Sequence, residues 1–470
     1  MIGANVPSAS MPLEIKAGDI EEPYAIRSRL GWLVYGIQAQ EQADIHKVCF
    51  CKQEEVSIIP RQEELERKFK DFCNMEFTER LSDHRGGLSV DDKNFLDIME
   101  KSITKKDNHY QIDLPLKQRD VAMPNNKDQA ERFLERQGQK LSKNKEIHEQ
   151  YTTFMNDLEK QGYAEKVPEA DLDRHDGKVW YIPHHGVYHP QKPGKIRVDF
   201  NCPISYKGKS LNQELLQGPD LTNRLLGVLL RWRKEKVAIM ADIQSMFYQV
   251  KVTPDQCDML RYLWWPKGDI FKEPVAYRKL VHLFGATSSP SCSNYALKRT
   301  AKDNEGCAKE EVLDAVQKDF YVDDFLKSVS TPQEGIDLAE SLRQLVLSKG
   351  GFKLTKWSSN RREVLDSIPK EEHAVELKDL DLQREVLPTE RALGVRWDPE
   401  NDQLGFKLKE MSRKATRRNI LSVMSSVYDP FGLAAPFVLK AKIILQELCQ
   451  AKLDWDQSIP EKQKMDWELG

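Results

Sequence analysis

Three aspartates of this chain stand where an isolated carboxylate would be costly. Asp242 ends the apolar stretch Val-Ala-Ile-Met-Ala-Asp, and the adjacent Asp323 and Asp324 lie within Phe-Tyr-Val-Asp-Asp-Phe-Leu. Burial penalises a charged carboxylate, and neighbouring like charges repel, so a divalent cation would relieve both costs. Oxygen ligands suit Mg²⁺, and two such ions can clamp an in-line phosphoryl displacement. An Asp-Asp pair is more often an exposed turn, but the apolar residues on both sides favour a two-metal phosphoryl-transfer site here.

Composition limits the class of protein that can carry this site. The 470 residues are 40% hydrophobic and 31% charged, with a net charge of −3, which indicates a globular chain of about three domains. No apolar run approaches the roughly 18 residues of a membrane span, and the N-terminus lacks the features of a secretory signal. The eight cysteines form no Cys-x-x-Cys pair, which is typical of free thiols. We therefore expect a protein that is neither secreted nor membrane-bound.

The elements around the aspartates alternate between strands and helices in an α+β pattern. Short strands at 12–15 and 30–36 predict part of a small β domain, and 41–110 reads as a polar linker with a helix after Ser89. Further strands are predicted within 178–200 and around the three aspartates. The predicted helices are 127–141, 143–161, 220–234, 286–303, 333–349 and much of the last seventy residues.

Tyr321–Asp324 resembles the Tyr-Val-Asp-Asp hairpin of reverse transcriptases, and Asp242 matches the first metal-binding aspartate of that family. The resemblance implies that Tyr321 lies at the substrate and that Phe247 is the aromatic steric gate which excludes a ribose 2′-hydroxyl. The alternative is that Phe247 is a core aromatic. Phe284 and Gly285 resemble residues that line the nucleotide pocket, where a glycine allows close approach.

Further segments resemble the same family in chain order. Gly-Lys-Ile-Arg-Val implies a triphosphate grip by Arg197, with Lys195 as a secondary candidate. Gly-Phe-Lys-Leu-Thr-Lys-Trp offers Lys353 or Lys356 as a general acid toward pyrophosphate. The primer-grip hairpin would carry Leu393, Gly394 and Trp397. A basic run would line the nucleic acid from the thumb, or alternatively form a solvated helix face; it consists of Lys407, Lys409, Arg413, Lys414, Arg417 and Arg418.

The longer segments resemble the Bel-Pao class of long-terminal-repeat retrotransposon polyproteins over nearly the whole chain. The opening resembles the last part of a retropepsin-like protease, and the stretch from Ser422 to Cys449 resembles the Pao retrotransposon peptidase region. The resemblance implies a right-hand polymerase with an antiparallel palm sheet and a helical thumb, preceded by a partial β protease remnant. The implied domains are a remnant at 1–40, a linker at 41–110, fingers and palm at 111–385, and primer grip with thumb or connection at 386–470.

The resemblance implies an RNA-directed DNA polymerase with two Mg²⁺ ions, or Mn²⁺ in their place. Its partners would be an RNA or DNA template with a primer, and dNTPs, in a cytoplasmic virus-like particle or the nucleus; its oligomeric state stays open. One alternative is a decayed or domesticated fragment that only binds nucleic acid or a protein partner. Another is a peptidase, but no Asp-[Ser/Thr]-Gly triplet occurs, so protease activity is not expected. We find no ribonuclease H carboxylate set and expect that domain to lie outside this chain.

Overall fold

The computed structural model describes residues 14–16, 24–28, 31–35, 87–118, 120–189, 192–378, 380–382, 385–406 and 414–468. The chain divides into two compact units, Met1–Arg85 and Gly86–Gly470. In the first unit, β1 (Glu14–Lys16), β2 (Tyr24–Ser28) and β3 (Gly31–Tyr35) form an antiparallel meander. β1 and β3 overlap the two predicted strands, and β2 was not predicted.

The second unit mixes short sheets with helices, as the predicted α+β pattern requires. Its described strands are β4 (Thr104–Lys106), β5 (His109–Ile112), β6 (Ala164–Lys166), β7 (His184–His189), β8 (Lys192–Phe200), β9 (Val237–Ile243), β10 (Lys251–Val252), β11 (Arg261–Trp264), β12 (Val275–Lys279), β13 (Phe320–Tyr321), β14 (Asp324–Val329), β15 (Leu354–Ser359), β16 (Glu390–Ala392), β17 (Val395–Asp398) and β18 (Gln403–Gly405). Its described α-helices are α1 (Val90–Ser102), α2 (Lys127–Leu141), α3 (Lys145–Lys160), α4 (Glu169–Leu172), α5 (Leu211–Glu214), α6 (Leu225–Trp232), α7 (Ser289–Lys302), α8 (Glu310–Lys318), α9 (Pro332–Gly350), α10 (Arg362–Asp366), α11 (Arg417–Met424), α12 (Ala435–Gln450) and α13 (Glu461–Glu468).

Helix α1 starts where the sequence predicts a cap. Ser89 and Asp92 form a reciprocal capping box, so each side chain accepts a hydrogen bond from the other residue's backbone N–H. Phe95 and Met99 of α1 are fully buried, and β5 pairs with β10 from the middle of the unit. Residues 87–112 are therefore packed into the second unit, in contrast to the linker expected over 41–110.

A four-stranded antiparallel sheet with the order β13-β14-β9-β15 lies at the centre of the second unit. Apolar side chains of β9, β14 and β15 share one core with α7, α8 and α9. A second core lies where β11, β12 and β8 meet α2 and α3, and it includes Trp180, Tyr262 and Trp264. The helix predicted over 143–161 appears as α3, which buries Tyr151, Met155 and Leu158 on one stripe.

The last part of the described chain is a small sheet followed by helices. Strands β16, β17 and β18 form an antiparallel meander. Helices α11, α12 and α13 follow, and Ile420, Ile444 and Leu448 form a separate small core among them. In the part of the chain that the structure describes, no helix has the length and apolar character needed to cross a membrane.

Candidate active site

The central sheet brings the three aspartates together. Asp242, near the end of β9, pairs directly with Asp324, the first residue of β14, in the antiparallel register. The carbonyl of Asp323 accepts a hydrogen bond of 2.8 Å from the N–H of Ile243. Strand β9 can occupy the middle of the sheet because its other side chains are almost all apolar and buried. The clustering that the sequence predicts for these residues is therefore present in the backbone.

A two-residue turn carries Asp323. Tyr321 pairs with Asp324, so Val322 and Asp323 form the loop, and Val322 has a φ of +55°. A β-branched residue rarely adopts this left-handed conformation, which costs on the order of 1–3 kcal/mol and persists only where the surroundings enforce it. Here the rings of Phe320 and Phe325, 5.1 Å apart and buried, hold the two strands on either side.

Asp319 fixes the base of this hairpin. Its carboxylate is almost fully buried and accepts hydrogen bonds from Arg231 Nε at 2.7 Å and from Lys327 Nζ at 2.8 Å. Arg231 also donates to the carbonyl of Lys318. Helix α6, the end of α8 and strand β14 are thereby joined by one buried carboxylate with two cationic partners, an arrangement that resists movement. Sequence analysis missed Asp319, although an acid directly before Phe-Tyr-Val-Asp-Asp was visible.

Burial and mutual repulsion both act on the two adjacent aspartates of the turn. Burial, followed by the repulsion of Asp323 and Asp242, raises the pKa of Asp324 to about 7. Burial and the charge of Asp242 also raise the pKa of Asp323, while Lys356 and Arg197 act in the opposite direction. Burial is the largest cause of both shifts, and repulsion among the three carboxylates adds to it.

Lys356 contacts this cluster directly. Its Nζ lies 2.7 Å from Oδ2 of Asp242, and it stands at a bulge of β15 with a φ of +54°. Lys353, the other candidate acid, lines a different cleft with Glu340 and Arg343 of α9. Of the two lysines that the sequence left open, the structure therefore places Lys356 at the aspartates.

The carboxylates of Asp242, Asp323 and Asp324 are ligands of the kind that a divalent cation prefers, but their side chains do not surround a common point. Within the described ranges, no group of three or more His, Cys, Asp or Glu side chains is placed so that it could hold a metal ion. Asp242 is held by Lys356 instead. The three carboxylates nevertheless supply the hard oxygen ligands that Mg²⁺ prefers. To share a cation with Asp323 and Asp324, Asp242 would have to leave its contact with Lys356.

The predicted nucleotide-pocket residues lie next to one another. Phe247 belongs to a 3₁₀ turn, Met246–Gln249, and its half-buried ring lies nearly parallel to that of Phe284, with centroids 6.2 Å apart. Phe284 is 61% exposed. The next residue, Gly285, has a φ of +105°, and a Cβ there would approach the Phe200 carbonyl oxygen to 2.4 Å. Only glycine fits that position.

Asn212 fixes the Gly285 turn, and sequence analysis did not single it out. Its amide nitrogen donates to the Gly285 carbonyl at 3.0 Å, and its amide oxygen accepts from the N–H of Thr287 at 3.0 Å. Tyr321 is half-buried and packs against the cluster that contains Trp232. Arg197 is exposed on β8, close enough for its charge to act on Asp323. The Lys195 side chain lies outside the described residues.

The hairpin of β16 and β17 turns tightly at two predicted residues. Leu393 (φ +48°) and Gly394 (φ +91°) form its two-residue loop, as expected for a turn with two left-handed residues. The Gly394 turn lies close to the ring of Tyr428. Leu393 packs against the cluster that contains Trp232, while Gly394 is exposed at the hairpin tip, and their contact with nucleic acid stays a prediction.

Trp397 does not fit the predicted nucleic-acid contact. Its side chain is fully buried, meets the ring of Trp232 edge to face at 5.0 Å, and donates from Nε1 to Asp402 at 3.0 Å. Asp402 also accepts hydrogen bonds from both terminal nitrogens of Arg233. Trp397 therefore anchors the hairpin to α6, and its predicted surface role is corrected.

The described part of the basic run is largely engaged within the protein. Arg417 lies 4.1 Å from the centroid of the Trp455 ring and donates to the Leu453 carbonyl. Arg418 makes two hydrogen bonds to Asp456, and Lys414 is exposed. Lys407, Lys409 and Arg413 lie outside the described residues. Among the described members, only Lys414 fits the expected free charge.

Comparison with known proteins supports the resemblance. Residues 416–469 match the family model of the Pao retrotransposon-like RNaseH-like domain. Comparison with curated proteins gives no match. Among solved structures, the foamy viral protease–reverse transcriptase in complex with double-stranded DNA matches with 16% identity and a TM-score of 0.42, over 67% of this chain and 45% of that one. The chain thus spans less than half the length of that relative.

Over residues 416–469, the predicted resemblance to a Pao retrotransposon is confirmed. The family model describes the C-terminal stretch as RNaseH-like, which corrects both the peptidase designation and the expectation that such a domain lies outside the chain. In the described residues this stretch consists of helices α11, α12 and α13 with the loops between them.

Proposed function

We propose that this chain is the reverse transcriptase region of a retrotransposon polyprotein and adds deoxynucleotides to a primer. The observation that carries the proposal is the direct pairing of Asp242 with Asp324, with Asp323 in the turn between Tyr321 and Asp324. Under this proposal, 111–385 forms fingers and palm of a right hand, and the primer grip begins at 386, ahead of the RNaseH-like match at 416–469.

The three aspartates would hold two Mg²⁺ ions, or Mn²⁺ in their place. Bound there, the ions would lower the cost of forming the primer 3′-alkoxide and of releasing pyrophosphate. The rigid base at Asp319 and the strained turn at Val322 would hold Asp323 and Asp324 beside Asp242 despite the repulsion among the three carboxylates. The protein would thus position carboxylates that water would otherwise separate.

The remaining residues of the cleft would bind the incoming nucleotide and the primer. Arg197, with Lys195 as a second candidate, would bind the triphosphate, since a guanidinium can donate two parallel hydrogen bonds to phosphate. Phe247 would lie against the sugar and exclude a 2′-hydroxyl, while Phe284 and Gly285 close the other side. The Leu393–Gly394 turn would support the primer strand.

Primer extension tests this proposal. We would supply an oligo(dT)-primed poly(rA) template, Mg²⁺, and either dTTP or rTTP to the wild type, to Asp323→Ala, and to Asp157→Ala as a control on the exposed face of α3. Extension with dTTP by the wild type and the control, lost in Asp323→Ala, is the expected result. Phe247→Val should keep extension but reduce the preference for dTTP over rTTP by roughly tenfold or more.

A folded wild type that binds the primed template but extends nothing would refute the polymerase proposal. It would favour the non-catalytic fragment that only binds nucleic acid. The RNaseH-like description of 416–469 favours a second candidate activity, cleavage of RNA paired with DNA. An RNA–DNA hybrid with a labelled RNA strand tests this activity. Cleavage that survives Asp323→Ala would assign ribonuclease activity to a site other than the three aspartates.

A further inference from the structure

Strand β15 departs from regular geometry at one residue beside the candidate active site. Thr355 pairs with Asp242, and the next pair is Ser358 with Met240. Strand β15 therefore has two residues, Lys356 and Trp357, opposite the single residue Ala241 of β9. Lys356 lies in this bulge with a left-handed φ of +54°. A bulge residue in this conformation is usually glycine, and bulges next to active sites commonly redirect a side chain.

The bulge decides which way Lys356 points. In a regular strand, side chains alternate, so Lys356 would share the core face with Leu354, opposite the buried Ala241 of β9. The extra residue gives that core position to Trp357, which is fully buried against Phe325. Lys356 is turned instead toward Asp242, where its side chain stays 59% exposed.

The ion pair of Lys356 with Asp242 places a positive charge beside all three carboxylates. Lys356 Nζ is 2.7 Å from Asp242 Oδ2, and the Lys356 charge also acts on Asp323 and Asp324. An exposed ammonium contributes little stability by such a pair, so fold stability alone does not explain a strained lysine here. Its position instead makes it a counter-ion for a carboxylate cluster that has no other direct cationic partner among the described residues.

We propose that Lys356 is a built-in counter-ion that holds the Asp242 carboxylate and must be displaced before the aspartates can bind a divalent cation. This inference rests on the proposed cation-binding role of the three aspartates. Lys356 acts through Asp242, so it is a positioning residue that sets how tightly the cation binds. The same ion pair explains why the three aspartates, whose carboxylates suit a divalent cation, do not surround one common point in the described part of the chain.

Mn²⁺ binding to the complete, metal-free protein tests the inference without any turnover. Free Mn²⁺ would be measured by electron paramagnetic resonance during titration of the wild type, Lys356→Gln, Lys356→Gly and Asp323→Ala. Lys356→Gly removes the ammonium while suiting the left-handed backbone, so it covers the case in which Lys356→Gln fails to fold. Lys101→Gln, which breaks an exposed lysine–aspartate pair of 2.7 Å on α1, is the matched control.

Both Lys356 variants should bind Mn²⁺ at least about tenfold more tightly than the wild type, because repulsion between an ammonium and a doubly charged ion a few ångströms away reaches about this factor even in a water-like dielectric. Lys101→Gln should leave the affinity unchanged. Equal affinities for the wild type and both Lys356 variants, with binding lost in Asp323→Ala, would overturn the inference and leave the proposed function standing. No binding by any variant would overturn both.

Discussion

Lys279 is a buried lysine whose Nζ has no hydrogen-bond partner among the described residues, and replacing it should stabilise the protein. Its side chain is fully buried at the end of β12, where Nζ lies 4.7 Å from the Phe200 ring centroid and 4.3 Å from that of Tyr248. Within the described structure Nζ has no hydrogen-bond partner, and burial lowers its pKa well below 10.5. Aromatic faces offset only part of the cost of a desolvated ammonium, so the neutral amine is favoured in the folded state.

The sign and size of the effect follow from proton binding. The folded-state pKa is depressed, so between that pKa and 10.5 the unfolded chain binds one more proton than the folded chain. Stability should therefore rise with pH across this window, by about 1.4 kcal/mol per pH unit. Lys279→Met keeps the length and apolar contacts of the stem, so we expect about 2–5 kcal/mol of stabilisation at pH 7.

Thermal unfolding of the wild type and Lys279→Met at pH 7, 8 and 9 measures both parts of this prediction. An unfolding entropy of about 2 cal/mol/K per residue converts 1 kcal/mol into only roughly 1 °C for a unit of this size. The variant should melt higher at pH 7, and its advantage should shrink by about 2 °C per pH unit. A variant that melts lower at pH 7, or an advantage independent of pH, would refute the argument.

Three further substitutions test other parts of the structure. Asp324→Asn should stabilise the metal-free protein, and more at pH 8 than at pH 5. The folded-state pKa of Asp324 is about 7, above its unfolded value of about 4, so the wild type loses stability as the pH rises from about 4 to 7. Melting curves of both proteins, recorded with a chelator at each pH, would show this difference. Gly285→Ala should abolish nucleotide incorporation while primed template still binds, because its Cβ would collide with the Phe200 carbonyl oxygen; retained incorporation contradicts this. Trp397→Ala should cost about 3–5 kcal/mol in urea unfolding, and a cost under about 1 kcal/mol would show that the Trp232 contact is not an anchor.

The Asp323–Asp324 turn could be predicted because its signal is local. Apolar residues on both sides of Asp323 and Asp324 indicate strands that meet in a tight turn, whereas Asp242, 82 positions before Asp324, was grouped with them by the family resemblance. The capping box at Ser89 was equally local. Both features depend on residues a few positions apart, which is where sequence patterns carry most information.

The features that sequence analysis missed depend on partners far along the chain. Trp397 was predicted to contact nucleic acid, but it is buried between Trp232 and Asp402. Arg418 looked like a free charge until Asp456 was placed beside it. The orientation of Lys356 depends on one extra residue in β15, and strict alternation predicts the opposite face. Tertiary pairing, not residue type, decides each of these cases.

The order of strands in the central sheet determines how long β9 stays unpaired while the chain is synthesised on the ribosome. The middle strand, β9, spans residues 237–243, but its two neighbours end at residues 329 and 359. At about 5–20 residues per second, an apolar strand with two unpaired edges would wait on the order of 10 s for its partners. Nascent chains that stop before residue 324 would expose both edges of β9 and should depend on chaperones to avoid aggregation. The pairing that brings Asp242 and Asp324 together thus also makes the polypeptide most vulnerable while it is being made.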